Sequence, residues 1–267
     1  MLATLRKLLL LIIALSVFCP PVPSYAIDFG SKEELQRFIL KTLRDHPQVL
    51  IDILRNNSEA VLDIAQEGSN QRRLHTLQKQ WKKDLTEEKE VRIADRPILG
   101  NKEAKVRIAA FSDFTCYYCK ASKSVIDTIL KEFGDSVSFV FKSIPFEEKG
   151  ASAIASQWFL AIAEQDEEKA WEFYNVMFEE RDKLQAEGEK FIRKIVRDMK
   201  LNIAKIESDV RSSKKIRAIL REDKEDADRL NIEGTPCFLV NNIVVRGAIP
   251  LDLFRIAVTM ALKNAER

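Results

Sequence analysis

Cys116-Tyr117-Tyr118-Cys119 joins an apolar run, Val106-Arg107-Ile108-Ala109-Ala110-Phe111, to a helical pattern, and this junction limits the possible folds more than any other feature of the chain. Past Cys119, Ser122, Val125, Ile126, Ile129, Leu130 and Phe133 recur at helical spacing, and Gly134 closes the helix. Val137-Ser138-Phe139-Val140-Phe141 then reads as a second strand. Strand, helix and strand in that order predict a crossover unit with parallel pairing. The thiols then fall at the carboxyl end of the first strand, where such sheets place their chemistry. Amides exposed in the first helical turn stabilise an anion, so Cys116 is expected to ionise near neutral pH, with Cys119 one turn in as its shielded partner. Two thiols so placed point to redox chemistry.

The compartment is read from residues 1–26. Arg6 and Lys7 supply a positive start, Leu8 to Phe18 form an apolar run broken only by Ser16, and Ser24-Tyr25-Ala26 offers small residues for cleavage after Ala26. The run falls short of the roughly 18 apolar residues that a membrane span needs. Cys19 invites a lipid-anchor reading, but Phe18 before it is bulky where such sites want a small residue. The expectation is a signal peptide and a periplasmic mature protein. Loss of Arg6 and Lys7 leaves 41 basic against 41 acidic residues, a balance that gives no reason to expect nucleic acid as a partner. Cys116, Cys119 and Cys237 are too few for a disulfide-stapled scaffold, although an oxidising compartment permits one.

Residues 27–94 carry helical patterning throughout. Leu35, Phe38, Ile39 and Leu43 share one stripe, followed by Val49, Leu50, Ile53 and Leu54, then Val61, Leu62, Ile64 and Ala65. Ser31 with Glu34 suggests a capping box, and Pro47 opens the second helix where its missing N–H costs little. A longer segment holds Leu74, Leu77, Trp81 and Leu85 among many charges. A stripe this lean buries little alone, so it is expected to pack against a second copy of itself or to lie along the main domain. A solvated helical linker is the alternative.

The segment from Asp95 to Asn101, with Pro97 and Gly100, reads as a loop. Between 150 and 230 the pattern is helical: Ala151 to Ala163, Glu168 to Phe178, Lys190 to Met199, Ile203 to Val210 and Lys214 to Leu230. Glu233-Gly234-Thr235-Pro236 interrupts it. Cys237-Phe238-Leu239-Val240 and Ile243-Val244-Val245 then form a hairpin turning at Asn241-Asn242, and a last helix is anchored by Leu251, Phe254, Ile256, Ala257 and Met260.

From Pro97 to Ala265 the chain resembles the DsbA-like periplasmic disulfide oxidoreductases of the thioredoxin superfamily. The likeness rests on Phe111 to Lys120 around the dithiol, the helical insertion, Gly234-Thr235-Pro236, and Arg246-Gly247-Ala248-Ile249-Pro250. Asp45-His46-Pro47-Gln48-Val49-Leu50 resembles, more loosely, the N-terminal extension of the oligomeric members, some of which shuffle disulfides. The resemblance implies an α/β thioredoxin fold with a helical insertion at about 150–230 of a domain spanning 95–267, plus an α-helical extension over 27–94 that joins copies into a homo-oligomer. It also implies a cis peptide before Pro236, with Thr235 and Pro236 receiving an extended substrate strand. No cofactor or metal is expected. The expected partners are unfolded or misoxidised exported proteins and a membrane redox protein, either a quinone-linked oxidase or a thiol reductase.

Tyr117 and Tyr118 carry no positive charge, so lowering of the Cys116 pKa is expected to come chiefly from helix amides, tuned by these two residues. Asp113, three residues earlier, reads as a cap or as a proton relay. Cys237 reads as a buried inert thiol, redox involvement or intermolecular pairing being the alternatives. His46 and His75, the only histidines, lie in the N-terminal region, so a Cys-His hydrolase lacks its parts. Two other functions use the same features: a Cu(I) site built from Cys116 and Cys119, with or without Cys237, or a chaperone-like scaffold in which the thiols are secondary.

Overall fold

The structure, a computed structural model, describes residues 30–266, so the expected signal segment, the expected cleavage after Ala26 and Cys19 lie outside the described residues. Two compact units divide between Gly68 and Ser69.

The first unit is helical. Helix α1 (Lys32–Asp45) starts where the Ser31 hydroxyl accepts the Glu34 amide at 3.2 Å. Helix α2 (Pro47–Asn56) carries proline at its opening, and α3 (Ser58–Asp84) runs as one 27-residue helix through the division. The capping residues act as their positions predict, since each satisfies or removes an amide that has no partner in the first turn. Neither α1 nor α2 buries a residue; Phe38, Ile39, Leu50, Ile53 and Leu54 are all exposed.

The second unit holds a five-stranded sheet in the order β1-β3-β2-β4-β5. Strands β2 (Val106–Ser112) and β3 (Val137–Ser143) pair in parallel through the crossover helix α4 (Tyr117–Phe133). Strand β4 (Cys237–Val240) pairs antiparallel with β2, and β5 (Ile243–Arg246) returns beside β4. Both faces of β2 and β3 are covered, which explains their near-continuous apolar sequence. The segment read as a loop contains a two-residue edge strand, β1 (Leu99–Gly100), antiparallel to β3. At Gly100 φ is +88°, and an added Cβ meets the Val137 carbonyl at 3.0 Å, so a residue that reads as a loop marker serves a close strand approach.

The seam read at 94/95 does not coincide with the compact division, and the reason is Trp81. Its side chain is 1 % exposed and its indole N–H donates to the Val244 carbonyl at 3.3 Å. The Val244 amide in turn donates to the Asp84 carboxylate at 3.2 Å. The end of α3 thus satisfies the outer edge of β5, a row of groups otherwise open to pairing. The lean stripe of residues 77–85 therefore belongs with the sheet.

The helical insertion comprises α5 (Ala151–Ala163), α6 (Glu167–Glu179), α7 (Arg181–Glu187), α8 (Glu189–Asp198), α9 (Ile203–Ser212) and α10 (Lys214–Arg229). The short α7 has too few apolar positions to announce itself; only Leu184 is buried. A final helix, α11 (Leu251–Ala265), packs Phe254 against Phe238 with centroids 5.1 Å apart. Aromatic side chains join the insertion to the thiol loop: Phe114 lies 4.7 Å from Phe141 and 5.0 Å from Phe178, centroid to centroid. On the opposite face of the sheet the buried Lys142 ammonium sits 2.9 Å from both Asp223 and Asp226 of α10, and Arg96 reaches Asp223 at 2.9 Å. A buried cation is tolerable only with such partners.

Candidate active site

Cys116 is the N-cap of α4: its backbone is extended (φ −73°, ψ 124°) and its sulfur accepts the Cys119 amide at 3.3 Å. The same sulfur lies 3.6 Å from the Thr235 carbonyl. Thr235 precedes β4, whose ladder with β2 starts at the pairing of Cys237 with Phe111, and the bond from Thr235 to Pro236 is cis. β2 and β4 thus bring residues 119 positions apart to one point, and the Pro236 carbonyl is held by the Gly247 amide at 2.9 Å.

The two sulfurs differ in environment. Cys116 is half-buried, whereas Cys119 is 3 % exposed among core residues. A hydrogen bond from the Cys119 thiol is the largest influence on Cys116 and holds it at about 6. Amides of Cys119 and Tyr118 and a contact with Thr235 act in the same direction, and burial opposes them. The sequence argument put helix amides first; the geometry puts the partner thiol ahead of them. Cys119 is pushed upward, first because it donates to Cys116 and then by burial. One proton is therefore kept on the inner sulfur while the outer one ionises.

The rings of Tyr117 and Tyr118 are exposed and meet edge to face at 5.5 Å. Of these two residues it is Tyr118 that acts on the Cys116 sulfur, through its amide and not its ring. Asp113 is 2 % exposed, and both oxygens of its carboxylate are engaged: one accepts the Thr115 amide and hydroxyl, each at 2.6 Å, and the other the Phe146 amide at 2.7 Å. Its role in this geometry is to tie the thiol loop to the loop after β3.

Cys237 is separated from the pair. It packs with Ala109, Phe111, Ala227, Ile232, Leu239 and Val244, whereas Cys119 packs with Ile108, Ala110 and Phe114 from the other face of the sheet. Burial pushes Cys237 up to about 11. Cys237, the optional third ligand of the Cu(I) alternative, is thus on the other side of β2 from the pair, and among the described residues no group of three His, Cys, Asp or Glu could hold a metal ion.

Several supporting residues escaped the sequence reading. Ser112 hydrogen-bonds the Cys119 sulfur, the Ser152 hydroxyl accepts the Phe114 amide at 2.9 Å, and Arg181 donates to the Thr115 carbonyl at 2.5 Å. The Lys120 ammonium reaches the Glu179 carbonyl at 2.9 Å. The contacts of Ser152, Arg181 and Lys120 cross 38 to 66 positions of chain, so no local pattern signals them. Phe146 carried a signal of its own, a lone aromatic before Glu147-Glu148-Lys149.

A family model described as Thioredoxin matches residues 93–259. Disulfide bond formation protein D of Bacillus subtilis is 26 % identical over 181 residues, covering 64 % of this chain and 79 % of that protein. The thiol-disulfide exchange protein alpha-DsbA2 from Wolbachia pipientis superposes with a TM-score of 0.55 at 20 % identity, covering 72 % of this chain and 97 % of the other. Proteus mirabilis ScsC in a transitional conformation gives 0.50 at 21 % identity over 89 % of this chain and 98 % of that one. At those identities the two structures speak for the fold alone.

Proposed function

The chain belongs to the thioredoxin family, and from that membership we propose that it is a thiol:disulfide interchange protein that introduces or isomerises disulfide bonds in exported proteins. The observation that carries this reading is the Cys116 sulfur, held at about 6 and set 3.6 Å from the carbonyl that precedes Pro236. A sulfur in that state is both a competent nucleophile and a good leaving group at neutral pH.

In the oxidised protein a client thiolate attacks the Cys116 sulfur; the Cys116–Cys119 bond breaks, and Cys119 leaves with the electron pair and takes a proton. A second client thiolate then attacks the client sulfur of the mixed disulfide and expels Cys116 as thiolate. The client gains one disulfide and the protein holds two thiols. If Cys119 attacks Cys116 instead, the first step is reversed. In the reduced protein Cys116 attacks a wrong client disulfide and releases one client thiolate, which attacks elsewhere to rearrange the pairing. Thr235, whose amide and carbonyl precede the β4 ladder, aligns the client backbone, and Pro236 leaves no competing N–H there. A quinone-linked oxidase or a thiol reductase in the membrane sets the resting state and hence the direction.

Two further assignments belong to the same reading. The protein works in the periplasm after cleavage of residues 1–26. The exposed apolar residues of α1 and α2 associate with other copies of this chain, which brings thiol sites together as isomerisation requires.

The experiment is reoxidation of a reduced, unfolded ribonuclease by oxidised protein, followed by gel shift and recovered activity. Cys116→Ser is expected to abolish turnover, and Cys119→Ser to accumulate the mixed disulfide at Cys116. Undiminished refolding by Cys116→Ser overturns the interchange reading and favours a chaperone-like scaffold.

A further inference from the structure

Among the described residues of the second unit, the large hydrophobic side chains that remain exposed are Tyr117, Tyr118 and Phe146. All three are at the thiol site. Phe146 is the extreme case, 94 % exposed, so its ring contributes nothing to the core. Scattered exposed apolar residues are ordinary, but a nearly naked phenylalanine held on a fixed loop needs an occupant.

The loop that carries it is fixed. The buried Asp113 carboxylate holds the Phe146 amide at 2.7 Å, and the Gly150 amide closes on the Glu147 carbonyl at 3.0 Å. Gly150 packs so closely that an added Cβ falls 2.8 Å from the Glu147 Cβ. Phe146 also lines two adjoining clefts. One, of about 550 Å³, contains Cys116, Thr115, Ser152, Gln185 and Thr235. The other, of about 490 Å³, has an apolar wall of Ile144, Pro145, Ala153, Leu220, Ala227 and Ile232 and a rim that includes Glu148, Arg221, Lys224 and Asp228. Phe146 is the residue that the reactive cleft and its neighbour have in common.

We propose that Phe146 and the apolar cleft behind it form a specificity site that takes an apolar side chain of the client close in sequence to the cysteine held at Cys116. This rests on the interchange reading above, because it is the tether at Cys116 that brings the client chain over Phe146. Once one client sulfur is bound, the neighbouring residues reach the ring at a high effective concentration, so a single aromatic contact suffices to discriminate. The ring has no polar atom to offer, and the charges that line the cleft balance, Glu148 and Asp228 against Arg221 and Lys224, with Glu148 and Lys224 paired at 3.0 Å. An apolar side chain is therefore preferred over either sign of charge. Unfolded chains display such residues and folded ones hide them, so the site also separates unfinished clients from finished ones.

The test uses the full-length reduced protein with three glutathione-linked substrates: a cysteine peptide flanked by Leu and Phe, the same peptide flanked by Ser, and glutathione disulfide. Cys116 attacks the substrate disulfide and releases one thiol; Cys119 then displaces the other, and rates are followed against substrate concentration. Phe146→Ala is expected to raise the half-saturating concentration for the Leu/Phe peptide about five- to tenfold with an unchanged limiting rate, and to leave the other two substrates alone. Phe146→Leu is expected to restore most of the loss. An unchanged preference between the two peptides in Phe146→Ala overturns the specificity site while exchange with glutathione disulfide persists. An equal loss on all three substrates also overturns it, since the ring then acts through the thiol loop. Failure of the unmodified protein to exchange with glutathione disulfide is the distinct result that overturns the interchange reading itself.

Discussion

The amide of Cys119 points at the sulfur of Cys116 from 3.3 Å, and the thiol of Cys119 donates to the same sulfur. One residue thus supplies two donors to its partner and becomes hard to ionise in consequence. The pair divides the chemistry between an outer nucleophile and an inner reserve.

Alkylation of the reduced protein by iodoacetamide is therefore expected to follow a single titration with a midpoint near pH 6, all of it at Cys116. A midpoint above pH 8 overturns this assignment of the sulfurs. The same shift bears on stability. The folded value is below the roughly 8.5 of an unfolded cysteine, so the contribution is complete above that value and is lost as pH falls through 6. Urea unfolding of the reduced protein, compared with Cys116→Ser between pH 5 and 9, is expected to show the reduced protein gaining as pH rises. A difference independent of pH counts against an ionised Cys116.

Asp113 offers a sharper separation of holding from proton transfer. Asp113→Asn keeps the shape but sets an amide against one of the three donors now facing the carboxylate, the Thr115 amide and hydroxyl and the Phe146 amide. A loss of about 1–3 kcal/mol in denaturant unfolding is expected. The alkylation midpoint of Cys116 is expected to stay near 6, because the groups that hold that sulfur low are Cys119, Thr235 and the Tyr118 amide. A midpoint that moves by a full unit makes Asp113 part of the proton chemistry.

The dithiol, the parallel crossover and the late hairpin were legible because each is written in contiguous residues: Val106 to Phe133 around the thiols, Val137 to Phe141 for the second strand, Cys237 to Val245 for the hairpin. Caps were legible for the same reason, Ser31 and Pro47 acting within their own first turns. What escaped lies between distant segments. Nothing near Trp81 reveals that its indole N–H meets Val244, 163 positions on. The ranking of helix amides below the partner thiol also depends on side-chain placement that spacing alone leaves open. Arg181 and Ser152 read as ordinary helix residues until the insertion is folded against the thiol loop.

Lys142 is fully buried on β3 and bonded to Asp223, Asp226 and the Arg92 carbonyl. Burial raises Asp223, whereas at Asp226 burial is outweighed by bonds from Lys142, Arg229 and Arg92, which hold it at about 2. Lys142→Met leaves two buried carboxylates short of a cation, and a loss of about 3–5 kcal/mol at pH 7 is expected. Lowering the pH protonates the carboxylates of the variant and relieves that penalty, while the unmodified protein loses its Asp226 contribution between about pH 4 and 2. The stability gap, measured by denaturant unfolding from pH 7 to 3, is thus expected to narrow toward acid. A gap that widens means the cluster is not held together by charge.

Where the chain is cut matters because of Trp81. A chain beginning at residue 95 lacks the indole and the Asp84 carboxylate, leaving the Val244 carbonyl and amide exposed along the β5 edge. A chain beginning at residue 69 keeps both and loses only the first unit, with its exposed Phe38, Ile39, Leu50 and Ile53. Light scattering is expected to give a multiple of the chain mass for the full-length protein and the monomer mass for the chain from 69. Thermal unfolding is expected to separate the two truncations, the one from 95 melting lower; the loss of one buried Trp is worth about 3–5 kcal/mol by itself. Isomerisation of a scrambled substrate by the monomer from 69 at the full-length rate overturns the link between association and isomerase activity. A full-length monomer removes the oligomer altogether, and leaves the dithiol to act by simple oxidation.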